Sequence, residues 1–352
     1  MPSAGIKDLM ATSTKKNVSK SGTKTGSGNF QPLAVGIDIG GTGTKFGIVD
    51  RNGNILFSSE ISTKVHNQVE PFIDALYNSL EPLIEEAGGP GRMKGIGVGA
   101  PNGNFYTGTI EYAPNLPWKG IIPLAKLIEN KFHLPVTLTN DANAAAIGEM
   151  MYGAAKEMKD FIMITLGTGV GSGIVANGKL VYGHDGFAGE LGHTIIRPGG
   201  RLHWGTGMKG SLETYASATG IAITAKELLD EKINVDSSLR KIPHNKIDAK
   251  AVFDAAIAGD KIAKEVFKFT GQILGEALAN FVMFSSPEAI ILFGGVIKAG
   301  KLLMDPVKKH MEKNLLPIFQ NKVKLLFSEL KESDAAILGA SALVWEIKQE
   351  QK

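Results

Sequence analysis

The chain contains two copies of one sequence pattern, 126 residues apart. With one gap, Gly41–Val49 and its Asn-Gly turn align with Gly167–Val175 and a second Asn-Gly turn. The copies share Gly, Thr, Gly, Gly, Ile, Val, Asn and Gly in the same order, and the frequency of Asn-Gly turns alone does not explain so many matches. We interpret the pattern as a duplicated βββ-α unit. It predicts two lobes of like fold, with a ligand-binding cleft between them.

The apolar pattern around the two copies predicts an α/β fold with duplicated βββαβα units. Short apolar runs between turn residues are typical of strands, and apolar residues at spacings of three and four are typical of helices. We predict strands at Leu33–Ile39, Lys45–Val49, Ile55–Ser58, Gly95–Gly99, Val136–Thr139, Ile162–Leu166, Gly173–Val175, Lys179–Val181, Ala289–Phe293 and Val323–Phe327. We predict helices from Val69 to the Gly88-Gly89 turn and at Leu124–Lys131, Ala142–Tyr152, Leu212–Leu229, Gly271–Ser285, Leu302–Asn314 and Ala335–Lys348. We expect a small lobe at residues 33–140, completed by a helix at 334–350, and a large lobe at 141–333.

Composition excludes several classes of protein. The chain has no Cys, which excludes a disulfide-stapled fold, a thiol nucleophile and a thiolate metal site.

The formal net charge of +3 arises from residues 1–32, which contain five Lys and one Asp. We expect a disordered basic tail at 1–32 and no nucleic-acid partner for the folded body. No apolar run is long enough for a signal peptide or a membrane span, so we expect a cytoplasmic protein without membrane contact.

Three Gly-rich loops follow apolar strands, and the 43 Gly residues are well above ordinary usage. Glycine at a strand end lets backbone N–H groups turn toward phosphate oxygens, and Thr adds hydroxyl donors. A plain tight turn explains any one loop, but three of them, two being duplicates, favour a phosphate-binding site. The candidate residues are Gly40, Gly41, Thr42, Gly43, Thr44, Lys45, Gly167, Thr168, Gly169, Gly294 and Gly295.

Two common kinds of phosphate-transfer motif are missing. The sequence has no G-x-x-x-x-G-K-[ST], H-R-D or D-F-G motif, which excludes a P-loop fold and a protein kinase. Asp38 lies just before the first Gly-rich loop. It either caps a turn or holds Mg²⁺ through water.

Polar residues elsewhere are candidates for binding the phosphate acceptor. Asp141 follows a strand and opens a helix, so it is either a helix cap or a general base that takes a proton from a substrate hydroxyl. Other polar residues are flanked by Gly or apolar neighbours, and each is either a satisfied turn or core residue or a donor or acceptor for a polyhydroxylated substrate. These residues are Asn102, Asn115, Asn140, Glu190, His193 and Glu213.

Taken together, these motifs resemble the repressor–open reading frame–kinase (ROK) family of sugar kinases, within the actin-like ATPase superfamily. The resemblance runs from about Leu33 to Trp345. It is carried by Asp38–Lys45, Asn115–Trp118, Asn140–Ala145, Leu166–Gly173, Gly186–His193, Leu212–Ser217 and Gly294-Gly295.

The resemblance implies a two-lobed actin-like ATPase (ribonuclease H-like) fold and a homodimer. It implies ATP with its phosphates on the two Gly/Thr loops and its adenosine near Gly294-Gly295, with Mg²⁺ beside Asp38. Asp141 is then the base that deprotonates a hexose 6-hydroxyl, and the six polar residues above are the sugar contacts. We expect a glucokinase; the alternatives are a fructokinase, an N-acetylmannosamine kinase and a polyphosphate-dependent glucokinase.

The sequence departs from the family at a zinc motif. Family members commonly carry three Cys in the form CxCGxxGCxE, and the His of a GELGH motif completes the zinc site. Aligned on Glu213, this chain has Trp204, Thr206 and Ser211 at the Cys positions. We predict no structural zinc, a loop held by packing of Trp204, and a His193 that is left for sugar contact.

The family also includes sugar-responsive transcriptional repressors. Those proteins carry a helix-turn-helix domain before the first phosphate loop, whereas here a polar tail of about thirty residues stands there. The sequence therefore favours a kinase over a repressor.

Overall fold

Each copy of the repeated motif contributes the second strand of a five-stranded sheet. The computed structural model describes residues 31–346, so nearly all of the predicted basic tail and the end of the last predicted helix lie outside the described residues. The chain divides into two units. Unit 1 contains the chain up to Asn140 together with the segment from Ala336, and unit 2 is Asp141–Ala335.

Unit 1 is built on a mixed sheet that begins as the predicted three-strand meander. The sheet order is β3-β2-β1-β4-β8, with β1 antiparallel to β2 and parallel to β4. The strands are β1 (Leu33–Ile39), β2 (Gly43–Val49), β3 (Ile55–Ser62), β4 (Met93–Gly99), β5 (Gly103–Asn104), β6 (Thr109–Glu111), β7 (Ile121–Ile122) and β8 (Val136–Thr139). The helices are α1 (Val69–Glu86) and α2 (Leu124–Phe132), and β5, β6 and β7 form a small separate sheet.

Unit 2 repeats the same sheet connectivity. Its order is β11-β10-β9-β12-β13, so both sheets place their first three strands as a meander and add the fourth and fifth in parallel on the other side. The strands are β9 (Phe161–Leu166), β10 (Val170–Ala176), β11 (Lys179–Leu180), β12 (Ala289–Phe293) and β13 (Lys324–Phe327). The helices are α3 (Asp141–Tyr152), α4 (Glu213–Ala216), α5 (Ala218–Glu231), α6 (Ala249–Ile257), α7 (Lys261–Ser285) and α8 (Lys301–Asn314). The predicted α/β class and the duplication are confirmed.

The core of unit 2 surrounds α7, which packs against α8 and α5. The predicted helix covers only the C-terminal part of this 25-residue element. The helix begins earlier because the Asp260 carboxylate accepts a hydrogen bond from the N–H group of Ala263 and so caps the N-terminus. The apolar face already runs through Ile262, Val266 and Phe267, all buried, before the predicted start of the helix. No helix within residues 31–346 is long and apolar enough to span a bilayer.

The predicted single helix at Leu212–Leu229 is wrong, since the chain breaks at Ser217 into α4 and α5. The Ser217 hydroxyl donates to the carbonyl oxygen of Glu213 over 2.7 Å and accepts from the N–H group of Gly220 over 3.0 Å. A serine that bonds to nearby backbone in this way competes with the helix and caps the next one. The break leaves the N–H group of Ala218 free to reach outside the helix.

The last helix, α9 (Ala335–Glu346), returns to unit 1 and packs on its sheet. Its inward face carries small residues such as Ala340 and Ser341, both fully buried. Opposite them, β1 and β4 carry Gly36 and Gly97, where a Cβ atom would overlap the backbone of α9. Helix and sheet therefore approach backbone to backbone, which only glycine permits on the strand side.

Candidate active site

The first Gly-rich loop joins β1 to β2 by a tight turn. The N–H group of Gly40 donates to the carbonyl oxygen of Gly43 over 3.0 Å. A Cβ atom on Gly41 would overlap the carbonyl group of Asn115. The fold thus requires glycine at position 41, and it brings a predicted phosphate-binding residue against a predicted sugar-binding residue.

Thr44 does not offer its hydroxyl group to a ligand, contrary to the expectation from the sequence. Its side chain is fully buried, and its Oγ1 atom lies 2.8 Å from Oγ1 of Thr63. The N–H group of Thr63 also donates to the carbonyl oxygen of Thr42 over 3.0 Å. Thr44 therefore holds the loop to the segment after β3, and the exposed Thr42 remains as the hydroxyl donor of this loop.

Asp38 lies near the end of β1, beside the first loop. It is half-buried and stands opposite the exposed Lys45 in the antiparallel pairing of β1 with β2. Asp38 does not belong to any group of three or more clustered ligating side chains within residues 31–346. A single carboxylate beside a phosphate loop fits Mg²⁺, which is usually held by one or two carboxylates, by water and by substrate phosphates.

The second Gly-rich loop is fixed to the start of α5. The N–H group of Gly167 donates to the carbonyl oxygen of Gly169 over 3.0 Å, which closes a turn one residue shorter than the one in the first loop. The N–H group of Ala218, freed by the break at Ser217, donates to the carbonyl oxygen of Gly167 over 2.8 Å. The N-terminus of a 14-residue helix thus lies next to the loop. Helix N-termini favour anions, so the loop is well placed for phosphate.

A cavity of about 640 Å³ opens beside the second loop and brings two predicted nucleotide segments together. Its lining includes Gly167 and Thr168 from the second loop and Gly295 from the third. The remaining lining residues are mostly apolar and were missed from the sequence: Ala218, Ile221, Ala249, Lys250, Phe253, Asp254, Phe267, Val296, Lys298 and Ala299. The volume is typical of ligand pockets, which run from about 300 to 1,000 Å³. An apolar cavity next to a phosphate loop suits the base and ribose of a nucleotide.

Asp141 is the first residue of α3 and both predicted roles remain open to it. Its Oδ1 atom accepts a hydrogen bond of 2.8 Å from the N–H group of Ala142. The side chain reaches solvent, yet the protein packed around it removes hydration and raises the pKa of the Asp141 carboxyl group. The backbone hydrogen bonds from Ala142 and from Asp141 itself oppose that rise. A carboxylate with a raised pKa that still meets solvent is suited to accept a proton.

Glu190 of unit 2 lies within electrostatic range of both Asp141 and Glu213. Desolvation raises the pKa of Glu190, and the negative charges of Asp141 and Glu213 raise it further, while His193 lowers it. The Nε2 atom of His193 lies 3.9 Å from Oε2 of Glu190. The structure thus brings four predicted site residues of unit 2 together.

The predicted sugar-binding asparagines all belong to unit 1. Asn102 adopts a left-handed backbone conformation with φ of 51°, and its Nδ2 atom donates to the carbonyl oxygen of Glu111 over 2.9 Å. Asn115 is exposed next to Gly41, and Asn140 ends unit 1 immediately before Asp141. Asn102 therefore has a structural role in shaping the turn after β4, and its Oδ1 atom and second amide hydrogen are left for a ligand.

Glu213 is held by two partners, one of which was missed from the sequence. Its Oε1 atom lies 2.5 Å from Nε2 of His203, and its Oε2 atom accepts a hydrogen bond of 2.7 Å from the N–H group of Val170. His203 is buried, with 5% of its surface exposed. The signal for His203 in the sequence was weak, since a lone His in a Gly-rich loop has no characteristic spacing.

Within residues 31–346, one group of three ligating side chains is close enough to hold a metal ion. The group consists of His193, His203 and Glu213, and their ligating atoms lie within 4.8 Å of one another. The Nδ1 atom of His203 accepts hydrogen bonds from the N–H groups of Gly205 at 3.1 Å and Thr206 at 3.0 Å. The ring proton therefore lies on Nε2, where it donates to Glu213. A metal ion at Nε2 would need the proton to move to Nδ1, against two N–H donors. The residues present do not fit the zinc of the family motif.

Comparisons with known proteins find relatives along nearly the whole described chain. The sequence model of the ROK family matches residues 34–347. A glucokinase of Halalkalibacterium halodurans is 39% identical over 322 residues, which cover 90% of this chain and 95% of the relative. The crystal structure of a ROK family glucokinase from Streptomyces griseus, in complex with glucose and AMPPNP, is 34% identical with a TM-score of 0.73 and covers 88% of this chain and 98% of its own. A xylose repressor of Caldicellulosiruptor bescii is 29% identical, over 88% of this chain and 77% of the relative.

Proposed function

Because this chain belongs to the ROK family and is a sugar kinase with the actin-like ATPase fold, we propose that it transfers the γ-phosphoryl group of ATP to the 6-hydroxyl group of glucose. The observation that carries the proposal is the carboxyl group of Asp141, which meets solvent, has a raised pKa and lies within electrostatic range of Glu190. A sugar kinase needs one group to accept the hydroxyl proton and others to hold the remaining hydroxyls, and these residues supply both.

In the proposed reaction, Asp141 accepts the proton of the 6-hydroxyl group while that oxygen attacks the γ-phosphorus. The bond from the γ-phosphorus to the bridging oxygen breaks, and ADP leaves with the electron pair. The chain contributes mainly by positioning the reactants and by directing N–H groups of the Gly-rich loops at the phosphates. Asp38 would hold Mg²⁺ through water, and the bound ion would supply positive charge to neutralise the phosphates.

Sugar binding is assigned to polar side chains that can accept or donate hydrogen bonds. The carboxylates of Glu190 and Glu213 accept hydrogen bonds from sugar hydroxyls, and His193 can donate or accept according to its tautomer. Asn102, Asn115 and Asn140 supply side-chain amide groups. Each of these partners favours glucose over an epimer in which the matching hydroxyl points elsewhere. With the epimer, the partner would lose its hydrogen bond and binding would be weaker.

The proposed acceptor is tested by comparing sugars at fixed ATP and Mg²⁺. We expect the highest kcat/KM with glucose among glucose, fructose, mannose and N-acetylmannosamine. A higher kcat/KM with any of the other three would replace glucose as the acceptor while keeping the sugar kinase.

The pH dependence of kcat provides a test of Asp141 as the base. The base must be deprotonated, so kcat falls as the pH drops through the pKa of Asp141 in the bound complex. Because desolvation raises that pKa, we expect the acid limb of the profile to lie above the ordinary aspartate value of about 3.9. The measurement is kcat at saturating glucose and ATP from pH 4 upward, with circular dichroism at each pH to exclude unfolding. A kcat that stays constant down to pH 4 would contradict the assignment.

The cavity beside the second loop supports ATP over polyphosphate, because a polyphosphate chain has no apolar part to fill it. Ala249 lines this cavity at the start of α6. We expect Ala249→Trp to fill the cavity and to raise the KM for ATP about tenfold or more, with the KM for glucose little changed. Ala258→Trp, at the exposed other end of the same helix, is the matched control. Equal KM values for ATP in both variants would show that the cavity does not bind the donor.

A further inference from the structure

The Glu213 carboxylate is fixed at both of its oxygen atoms, and its two partners come from different parts of unit 2. One partner, the N–H group of Val170, belongs to the second Gly-rich loop. The other, Nε2 of His203, belongs to the loop between Gly199 and Ser211. The Glu213 side chain is 12% exposed, so neither bond is strongly screened by solvent. A single carboxylate thus ties the predicted phosphate loop to the loop that lacks the zinc motif.

The loop around His203 is organised on the imidazole ring rather than on the Trp204 indole that the sequence favoured. The N–H groups of Gly205 and Thr206 both donate to Nδ1, and the N–H group of His203 donates to the carbonyl oxygen of Met208 over 2.7 Å. Trp204 stacks on the ring at a centroid distance of 4.5 Å and an angle of 24°, but it stays 49% exposed. Trp204 therefore covers His203, and His203 holds the loop.

Because of these bonds, His203 can act toward Glu213 only as a hydrogen-bond donor. With Nδ1 occupied as an acceptor, Nε2 is a donor and points at the carboxylate. The buried Nδ1 atom of His193, which has no partner among residues 31–346, is then the remaining nitrogen donor of the group. One nitrogen atom and one engaged carboxylate do not make a zinc site, which needs at least three protein ligands.

We propose that His203 is a positioning residue, which fixes the Glu213 carboxylate for sugar binding through its Nε2–H group and takes the place of the zinc ion of the family motif. The inference rests on the proposed function, since Glu213 is assigned there to sugar binding. His203 touches neither sugar nor nucleotide in this account. Its loss frees the carboxylate to rotate away from the orientation that the sugar needs, and the cost falls on sugar affinity rather than on the phosphoryl transfer step.

Two variants separate positioning from a packing role. His203→Phe keeps an aromatic ring under Trp204 but removes the donor, and we expect it to raise the KM for glucose about tenfold, the loss typical of a hydrogen bond to a charged group. The KM for ATP and kcat should change much less. His203→Gln restores an N–H group near the position of Nε2, and we expect it to recover most of the glucose affinity. A glucose KM in His203→Phe equal to that of the wild type would overturn the proposal, as would equal losses in both variants.

A measurement that needs no activity tests the same contact. In wild-type protein labelled with ¹⁵N-histidine, long-range ¹H–¹⁵N spectra report the ring tautomer, and the signal missing from the His203→Gln spectrum identifies His203. We expect the neutral Nε2–H tautomer, no stoichiometric zinc by elemental analysis of the purified protein, and no change of the signal on adding zinc. An Nδ1–H tautomer or one tightly bound zinc per chain would overturn the proposal. A wild-type protein that phosphorylates no hexose would instead refute the proposed function, and the tautomer would still decide the role of His203.

Discussion

Replacing Asp141 by Asn lowers kcat by a factor of about 10² to 10⁴, the range that a positioned general base contributes. Asparagine keeps the size of the side chain and an oxygen that can accept the hydrogen bond from the N–H group of Ala142. It cannot take a proton from the sugar hydroxyl. The loss is measured as kcat for glucose 6-phosphate formation at saturating glucose and ATP, with the KM for glucose and the melting temperature close to those of the wild type.

The control for this variant separates catalysis from helix capping. Asp260 caps the N-terminus of α7 by accepting a hydrogen bond from the N–H group of Ala263, and it does not line the cavity. Asp260→Asn should leave kcat unchanged, whatever its effect on stability. If Asp141→Asn keeps the wild-type kcat, Asp141 is a cap only and the base must be sought among the neighbouring carboxylates, first of all Glu190.

The second large effect is on stability, at Gly97 in β4. A Cβ atom at Gly97 would overlap the carbonyl group of Ala340, with the carbonyl carbon only 2.8 Å away. Neither the strand nor the helix backbone can yield locally, so α9 must move off the sheet. We expect Gly97→Ala to cost about 3 kcal/mol, at the upper end of the range for overpacked cores. In a domain of this size that corresponds to a fall in melting temperature of roughly 6–12 °C.

Gly91→Ala is the matched control for the stability prediction. Gly91 also lies in unit 1, but a Cβ atom there would meet no atom within 4 Å. The melting temperature of this variant should stay close to that of the wild type in differential scanning calorimetry. Equal melting temperatures for Gly97→Ala and Gly91→Ala would mean that α9 does not pack on β4 as described.

The elements that the sequence predicts best are those whose structure depends on local pattern. The strands β1, β8 and β12 begin and end at the predicted residues. β1 and β12 are short, mainly apolar runs, and β8 alternates apolar and Thr residues; both patterns are typical of strands bounded by turn or cap residues. The helix α6 was missed, although Asp248 caps it by accepting a hydrogen bond from the N–H group of Ala251. That cap is a readable signal, and it would have placed Ala249 at a helix start.

The features that the sequence does not predict depend on contacts between distant segments. The break at Ser217 is stabilised when the N–H group of Ala218 bonds to Gly167, about fifty residues earlier. Thr44 was assigned to phosphate from its place in the loop, but its partner Thr63 lies beyond the next strand. The role of His203 follows from hydrogen bonds to both ring nitrogens. Residue type and spacing carry no information on such contacts.

The central claim is tested most directly by ³¹P NMR of a mixture of the wild-type protein with glucose, ATP and Mg²⁺. We predict that the γ-phosphate signal of ATP decays while the signals of glucose 6-phosphate and ADP grow in equal amounts. The Asp141→Asn protein at the same concentration should leave ATP nearly intact over that time. ATP that persists in the wild-type sample, or a phosphate ester at another position of the sugar, would contradict the account.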